Sequence, residues 1–292
     1  VGALLTRVDS RPVWNALFDP KVRTVVQTAP AVRVALGEVF GMEPGTIVTA
    51  KMAHALRLLG FDDVFDTNFA ADLTIIEEGT EFLNRALAAV RGQDVVLPMI
   101  TSCSPGWIKY VEHEFPGRLA HLSSCRSPHM MLGALAKTYW ARKKGIDPKD
   151  MYVVSVMPCT AKKFEITRPE LFVDGRPAVD AVLTTRELGR MIREAGIDFA
   201  SLEGCAFDDP LGFSTGAADI FGTTGGVMEA ALRTVYEVVT GREVPFPRLD
   251  VTPVRGLSQV KEASLTLEDV KPEYRELEGF TVKVAVTSGL KG

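Results

Sequence analysis

Two cysteines stand at positions where chemistry is readily built. Cys103 lies in Thr101-Ser102-Cys103-Ser104-Pro105-Gly106-Trp107, and Cys159 in Pro158-Cys159-Thr160-Ala161-Lys162. Each follows an apolar run that reads as a strand, Asp94 to Ile100 and Met151 to Met157, and each precedes a helix start. The free N–H groups and dipole of a helix N-terminus favour thiolates and anionic ligands. Open α/β sheets place ligand sites beyond the carboxyl ends of their strands. The plain alternative is that both cysteines are small buried residues, the usual state of a lone Cys. Their shared context argues against that. Two thiols from separate strand ends suggest a soft-metal site, although two ligands do not complete one. Lys162, three residues past Cys159, would place a cation beside a negatively charged group.

A second constellation is Glu78, Glu81 and Arg85, spaced i, i+3 and i+7, so that one helix face carries all three. On spacing alone the favoured reading is a solvated charged face. Carboxylates, however, can both accept and release a proton.

The elements that must position these groups follow an alternating grammar. Val22 to Thr28 predicts a strand, and Pro30 opens a helix, where its missing N–H is no loss. Thr46 to Leu59 predicts a helix ended by Gly60, Asp63 to Thr67 a strand, and the segment around Glu77–Leu83 a helix. The second half continues with a helix over Ser127–Lys144, a strand at Ala181–Thr185, and helices over Arg186–Ala195 and Val227–Thr240. Two further strands are expected at Val260–Leu267 and Thr281–Thr287, and a surface loop at Glu243–Arg255. This is an α/β pattern with largely parallel strands.

Composition narrows the function. With 292 residues and 46% hydrophobic content, the chain can bury a large core. A formal charge of -4 gives no reason to expect a nucleic-acid partner. No apolar run is long enough to span a bilayer. Four scattered cysteines make no disulfide framework in a chain of this length, so a reducing compartment, the cytoplasm, is expected.

The motifs themselves resemble those of the FeFe (iron-only) hydrogenases. Thr101–Trp107 resembles the signature T-S-C-C-P-x-W, and Met157–Glu165 matches M-P-C-x-x-K-x-x-E at every defined position. Gln27-Thr28-Ala29-Pro30 and the stretch Phe221–Arg233 also look like that family. The resemblance covers nearly the whole chain. It implies an H-cluster, a 4Fe–4S cubane joined through a shared cysteine to a diiron unit with CO, cyanide and a bridging dithiolate amine. It implies reversible reduction of protons to H2. The expected fold is two α/β lobes, each a mainly parallel sheet flanked by helices, with the cluster cavity between them. The lobes are expected at 21–126 and 127–292, with 1–20 a lead-in from a ferredoxin-like module and the end truncated before a third cluster motif.

By the same resemblance Cys159 is a cubane ligand. Ala29, Pro30, Pro128, Met157, Lys162 and Phe221 line the diiron pocket, with Lys162 and the Ala29–Pro30 backbone meeting cyanide. A compact ammonium suits a small anion better than a forked guanidinium does. The family's proton path runs through residues that match Arg85, Glu78, Ser123, Glu81 and Cys103, each of the expected type. The implied partners are H2, protons and iron–sulfur electron carriers: ferredoxin-like modules or subunits of an NAD(P)-linked or electron-bifurcating hydrogenase.

One position departs from the pattern. Ser104 stands where the family has a second cysteine, a cubane ligand. A hydroxyl is a poorer ligand for such clusters than a thiolate. Ser104 ligates as an alkoxide, or Cys103 turns inward as its substitute, or the cubane is altered or absent; the second is favoured. The competing function is a non-catalytic hydrogenase-like sensor or iron–sulfur scaffold, which Ser104 favours and the intact proton path disfavours. His129, next to Pro128 and at a position where many relatives have Gln, tunes a hydrogen bond near the diiron unit or packs, packing being favoured; Cys125 and Cys205 are expected to be structural. His54, His113 and His121 show no metal-ligand spacing. Gly222–Gly226 lacks the ending of a phosphate-binding loop.

Overall fold

The structure is a computed structural model that describes residues 7–210, 212, 214–247, 251–254 and 259–289. Residues 1–6 of the expected lead-in at 1–20, and the end at Gly292, lie outside the described residues, whereas Ser10–Leu17 of that lead-in is a helix. The chain forms two compact units, each assembled from separated stretches. Unit 1 comprises 1–70, 104–106 and 126–214, and unit 2 comprises 71–103, 107–125 and 215–292. The sequence suggested two consecutive lobes; the observed units interleave.

Unit 1 is built on β1 (Arg23–Thr28), β2 (Asp63–Asp66), β3 (Met151–Met157) and β4 (Ala181–Thr184). They form one parallel sheet in the order β2-β1-β3-β4. Residues 25–28 of β1 and 153–157 of β3 are all buried, which is why these strands read as near-continuous apolar runs rather than alternating ones. Helices supply the cover. The helix Thr185–Glu194 starts with a full capping box, in which the Thr184 hydroxyl accepts from the Glu187 N–H and the Glu187 carboxylate accepts from the Thr184 N–H. Its Leu188, Met191 and Ile192 are fully buried, each worth about 1.5–3 kcal/mol by removal from water. Gly189 has no room for a side chain, because a Cβ there would lie 2.7 Å from Val39 Cγ1.

Unit 2 holds β5 (Thr252–Pro253), β6 (Val260–Thr266) and β7 (Thr281–Thr287). Here the α/β expectation needs one correction, since both pairings are antiparallel. The segment between β6 and β7 contains only a 3-10 turn, Pro272–Leu277. Parallel neighbours are usually joined by a crossover α-helix, which this segment does not form. The core gathers Leu83 and Ala86 from the long helix Thr67–Val90, Leu232, Val235, Tyr236 and Val239 from the helix Gly226–Thr240, and Leu267, Leu277 and Val282 from the sheet side. Gly226 is needed sterically, because a Cβ would fall 1.8 Å from the Ile220 carbonyl oxygen.

A second correction concerns Asp94 to Ile100, which is not a strand. It is irregular and mostly exposed, with a single parallel bridge from Ile100 to Leu122. Pro98 has no N–H to give to a ladder, and that outweighs the apolar run around it. The expected loop at Glu243–Arg255 is irregular over 243–247 but includes the short strand β5, and Arg255 lies outside the described residues. The remaining predicted helices and strands occur within a few residues of their expected limits.

Candidate functional site

The candidate residues fall into two groups, one in each unit. In unit 1, Ala29, Pro30, Met157 and Cys159 lie at the carboxyl ends of β1 and β3, which are adjacent and parallel. Ala29 and Pro30 follow β1 directly, and the Ala29 N–H donates to the Val156 carbonyl at 3.0 Å. Met157 is the buried last residue of β3, and Cys159 is exposed just beyond it. Pro128 occupies the first turn of the helix Pro128–Leu135. Ser104 is exposed.

Lys162 begins the one-turn helix Lys162–Glu165, and its Nζ donates to Glu165 Oε2 at 2.8 Å. The same oxygen meets His129 Nε2 at 2.7 Å. His129 Nδ1 lies 3.1 Å from Ser155 Oγ, and the His129 carbonyl accepts from Gln27 Nε2 at 2.7 Å. Burial alone would raise the Glu165 carboxyl, but the His129 and Lys162 contacts overcome it and hold the group at about 2. Burial keeps the His129 imidazolium disfavoured, below its ordinary value, despite the neighbouring carboxylate. A neutral ring with its proton on Nε2 satisfies both sides: it donates to Glu165 and accepts from the Ser155 hydroxyl.

Unit 2 holds the charged face. Arg85 donates to Glu81 Oε1 at 2.6 Å and also caps the carbonyls of Val96, Ala120 and Leu122. The Ser123 hydroxyl donates to Glu81 Oε2 at 2.9 Å. Burial opposes ionisation of Glu81, yet the bonds from Ser123, Arg85 and Ser124 hold its carboxyl below the usual range. One turn earlier, Glu78 is 1% exposed, and neither carboxyl oxygen makes a hydrogen bond of ordinary geometry among the described residues. Burial pushes it up to about 7; the nearby Ser123 hydroxyl and Ser102 N–H oppose the rise, and the Glu81 charge adds to it. Cys103 is half-buried in the same unit. Phe221 closes the helix Gly216–Ile220 and is half-buried.

Several participants escaped the sequence reading. His129 does more than pack. The i, i+3 pair of Lys162 and Glu165 was a usable signal, because the second motif ends in that Glu. Ser124 donates to Glu81 Oε2 through both its N–H, at 3.0 Å, and its hydroxyl, at 3.1 Å. Cys125 Sγ lies 3.8 Å from the same oxygen, and burial, with the surrounding carboxylates, pushes its thiol up to about 11.

Whether these residues suit an iron–sulfur group can be judged from their chemistry. The buried hydroxyls Thr28 Oγ1 and Ser127 Oγ have no partner among the described residues, and they directly precede Ala29–Pro30 and Pro128. Orphaned buried polar atoms are uncommon in native proteins and suit a bound polar group. Among the described residues no group of three or more His, Cys, Asp and Glu could by itself hold a metal ion. The two orphaned hydroxyls therefore fit the side of a bound polar group, and Cys159, exposed just beyond β3, offers a thiol.

Comparisons with known proteins give the chain's family. The model of the iron-only hydrogenase large subunit, C-terminal domain, matches residues 22–292. The chain is 55% identical over 269 residues to the NADP-reducing hydrogenase subunit HndD of Solidesulfovibrio fructosivorans, covering 92% of this chain and 46% of that protein. It is 51% identical over 279 residues to the periplasmic Fe hydrogenase large subunit of Nitratidesulfovibrio vulgaris, covering 96% and 63%. A solved variant of the FeFe-hydrogenase HydA1 of Chlamydomonas reinhardtii superposes with a TM-score of 0.85 at 42% identity, covering 98% of this chain and 76% of that one. A cytosolic iron–sulfur assembly component of Bos taurus is more remote, 31% identical over 239 residues, covering 79% and 49%. The chain thus spans about half of the two curated hydrogenase relatives. It belongs to the iron-only hydrogenase large-subunit family.

Proposed function

We propose that the chain is the catalytic, H-cluster-bearing part of a hydrogenase that joins two protons and two electrons into H2, or runs the reverse. The observation that carries this reading is the Glu78–Glu81–Ser123–Arg85 cluster, in which a carboxyl brought to about 7 stands next to one held ionised. A non-catalytic scaffold has no use for it.

When bound, the H-cluster supplies electrons and the site at which hydrogen is made or split. Cys159 would hold its cubane, with Ser104 or Cys103 at a second corner. Ala29, Pro30, Pro128, Met157, Lys162 and Phe221 would surround the diiron unit with its CO, cyanide and dithiolate amine ligands. Lys162 would offer its ammonium to a small anionic ligand.

The chain's own part is to move protons. Arg85 stays charged and cannot carry one; it holds Glu81 in place. Glu81 receives a proton and passes it by way of the Ser123 hydroxyl, which donates to Glu81 and faces Glu78. At about 7, Glu78 takes up and releases that proton with little free-energy cost near neutrality. Cys103 is the terminal group of the relay.

The name of the relative at 55% identity, an NADP-reducing hydrogenase subunit, supports an NADP-linked electron partner. Four cysteines with no disulfide among the described residues support a reducing compartment, the cytoplasm. No helix of the described residues is long and apolar enough to cross a membrane. Ser104 and the remote assembly relative favour a second reading, an iron–sulfur scaffold.

The deciding test is an infrared spectrum of the full-length protein made with cluster-maturation machinery. CO and cyanide bands, lost in Cys159→Ala, are the expected result. A folded protein without those bands would transfer the assignment to the scaffold.

A further inference from the structure

We propose that His129 is a positioning residue for Lys162, acting through the shared oxygen of Glu165. The placement of the ring starts from the sheet. Gln27 of β1 and Ser155 of β3 are register partners, so both project from the same face. Gln27 grips the His129 backbone carbonyl at 2.7 Å, and its own Oε1 is held by the Thr67 hydroxyl at 3.1 Å. Ser155 meets the ring at Nδ1 at 3.1 Å. A cross-strand pair therefore clamps one residue at both its main chain and its side chain. The ring is 1% exposed, so it sits enclosed between these bonds rather than against solvent.

From this fixed ring, Nε2 reaches Glu165 Oε2 at 2.7 Å. The chain leaves β3, passes Cys159, turns through Lys162–Glu165, and is tied back over the sheet by that bond. Lys162 then donates to the same oxygen at 2.8 Å from a side chain 12% exposed. Without His129, Glu165 would lose one of the two donors that its Oε2 has among the described residues, and its i, i+3 pairing with Lys162 would be held less firmly. With it, the ammonium has a fixed direction.

A Gln side chain can also donate an N–H to the carboxylate, so the conservative variant is informative. The inference rests on the proposed placement of Lys162 only for its consequence. Its test needs no metal, so its failure leaves the hydrogenase reading standing.

The test is acetylation of the intact protein by an N-hydroxysuccinimide ester, read site by site by mass spectrometry. Lys149, with a side chain 58% exposed, is the open reference. Lys163, bonded to Glu187 at 3.0 Å, and Lys137, bonded to Asp180 at 2.7 Å, are the buried controls. In His129→Leu the rate at Lys162 rises by about fivefold or more, reflecting one lost charge-assisted bond, while both controls stay unchanged. His129→Gln restores slow labelling to within about twofold of the parent. Ser155→Ala, which removes only the Nδ1 partner, keeps the test alive if His129→Leu does not fold, with an increase of about twofold at Lys162 alone. Unchanged labelling at Lys162 in these variants overturns the proposal. So does a rise at all three buried lysines together, which would be general loosening.

Discussion

Glu165 and Glu78 are both buried carboxylates on helices, one in each unit, and their surroundings treat them in opposite ways. The Oε2 atom of Glu165 takes two donors at 2.7 and 2.8 Å, and the group is held at about 2. The oxygens of Glu78 have no ordinary hydrogen bond among the described residues, and the group rises to about 7. Burial is the largest influence on each, and it pushes both upward. The difference therefore comes from partners. A carboxylate with two donors is a permanent anion, suited to holding a cation still. One buried without a donor of ordinary geometry, beside a neighbouring negative charge, is a group that exchanges its proton near neutrality. One fold thus fixes charge in one unit and leaves it exchangeable in the other.

The largest predicted effect comes from breaking the exchangeable side. Glu81→Gln keeps the shape and most donors but cannot carry a proton. Turnover in the full-length, cluster-loaded protein should fall by about 10³-fold, within the usual range for losing an acid–base group. The infrared bands of the cluster should be unchanged. Activity within about tenfold of the parent would show that protons travel elsewhere.

On the fixed side, Glu165→Gln leaves the Lys162 ammonium facing a neutral amide. Removing one partner of a buried pair costs roughly 3–5 kcal/mol, measurable by urea unfolding near neutral pH. The sign with pH follows from linkage. Glu165 is depressed, so its contribution is present above the unfolded carboxyl value and is lost as pH falls toward about 2. The gap between variant and parent should therefore close on acidification. A gap that stays constant from neutral pH down to the folded value of about 2 would mean the charge of Glu165 is not what matters.

Glu78→Gln tests the other sign. A raised carboxyl keeps its proton in the folded state after the unfolded chain has lost it, so stability falls as pH rises from about 4.5 to about 7. The variant should lack this fall and gain up to roughly 3 kcal/mol on the parent across that window. Parallel curves for variant and parent would remove Glu78 from the exchangeable class.

Which of these features could be read from residues alone depends on the distance over which each is determined. The strands at Val22–Thr28, Met151–Met157 and Ala181–Thr185 were legible because burial on both faces leaves an unbroken apolar run. The charged face of Glu78, Glu81 and Arg85 was legible because helix geometry places i, i+3 and i+7 together. Strand direction in the second sheet was not, since a strand's composition does not record which way its neighbour runs. Asp94–Ile100 misled because its apolar content hid the consequence of Pro98. His129 meets Glu165 across 36 residues and Ser155 across 26, separations at which spacing carries no signal. Ser124 and Cys125 were overlooked for the same reason, being 43 and 44 residues from Glu81.

Ser124 gives the smallest and sharpest test of the contrast. Its hydroxyl is exposed and is one of several donors on Glu81 Oε2, alongside its own N–H and the Ser123 hydroxyl. Ser124→Ala removes one of these and leaves the backbone bond, so the Glu81 carboxyl should rise only slightly and remain ionised at neutral pH. Turnover should fall by less than about fivefold, because the Ser123 hydroxyl and the Ser124 N–H still donate to the same oxygen. If Glu81 is instead supplied with protons from the solvent side through this hydroxyl, the loss would approach that of Glu81→Gln. The partner-rich carboxylate in unit 2 would then owe its function to Ser124 rather than to Arg85, and the relay would begin at a residue no motif contains.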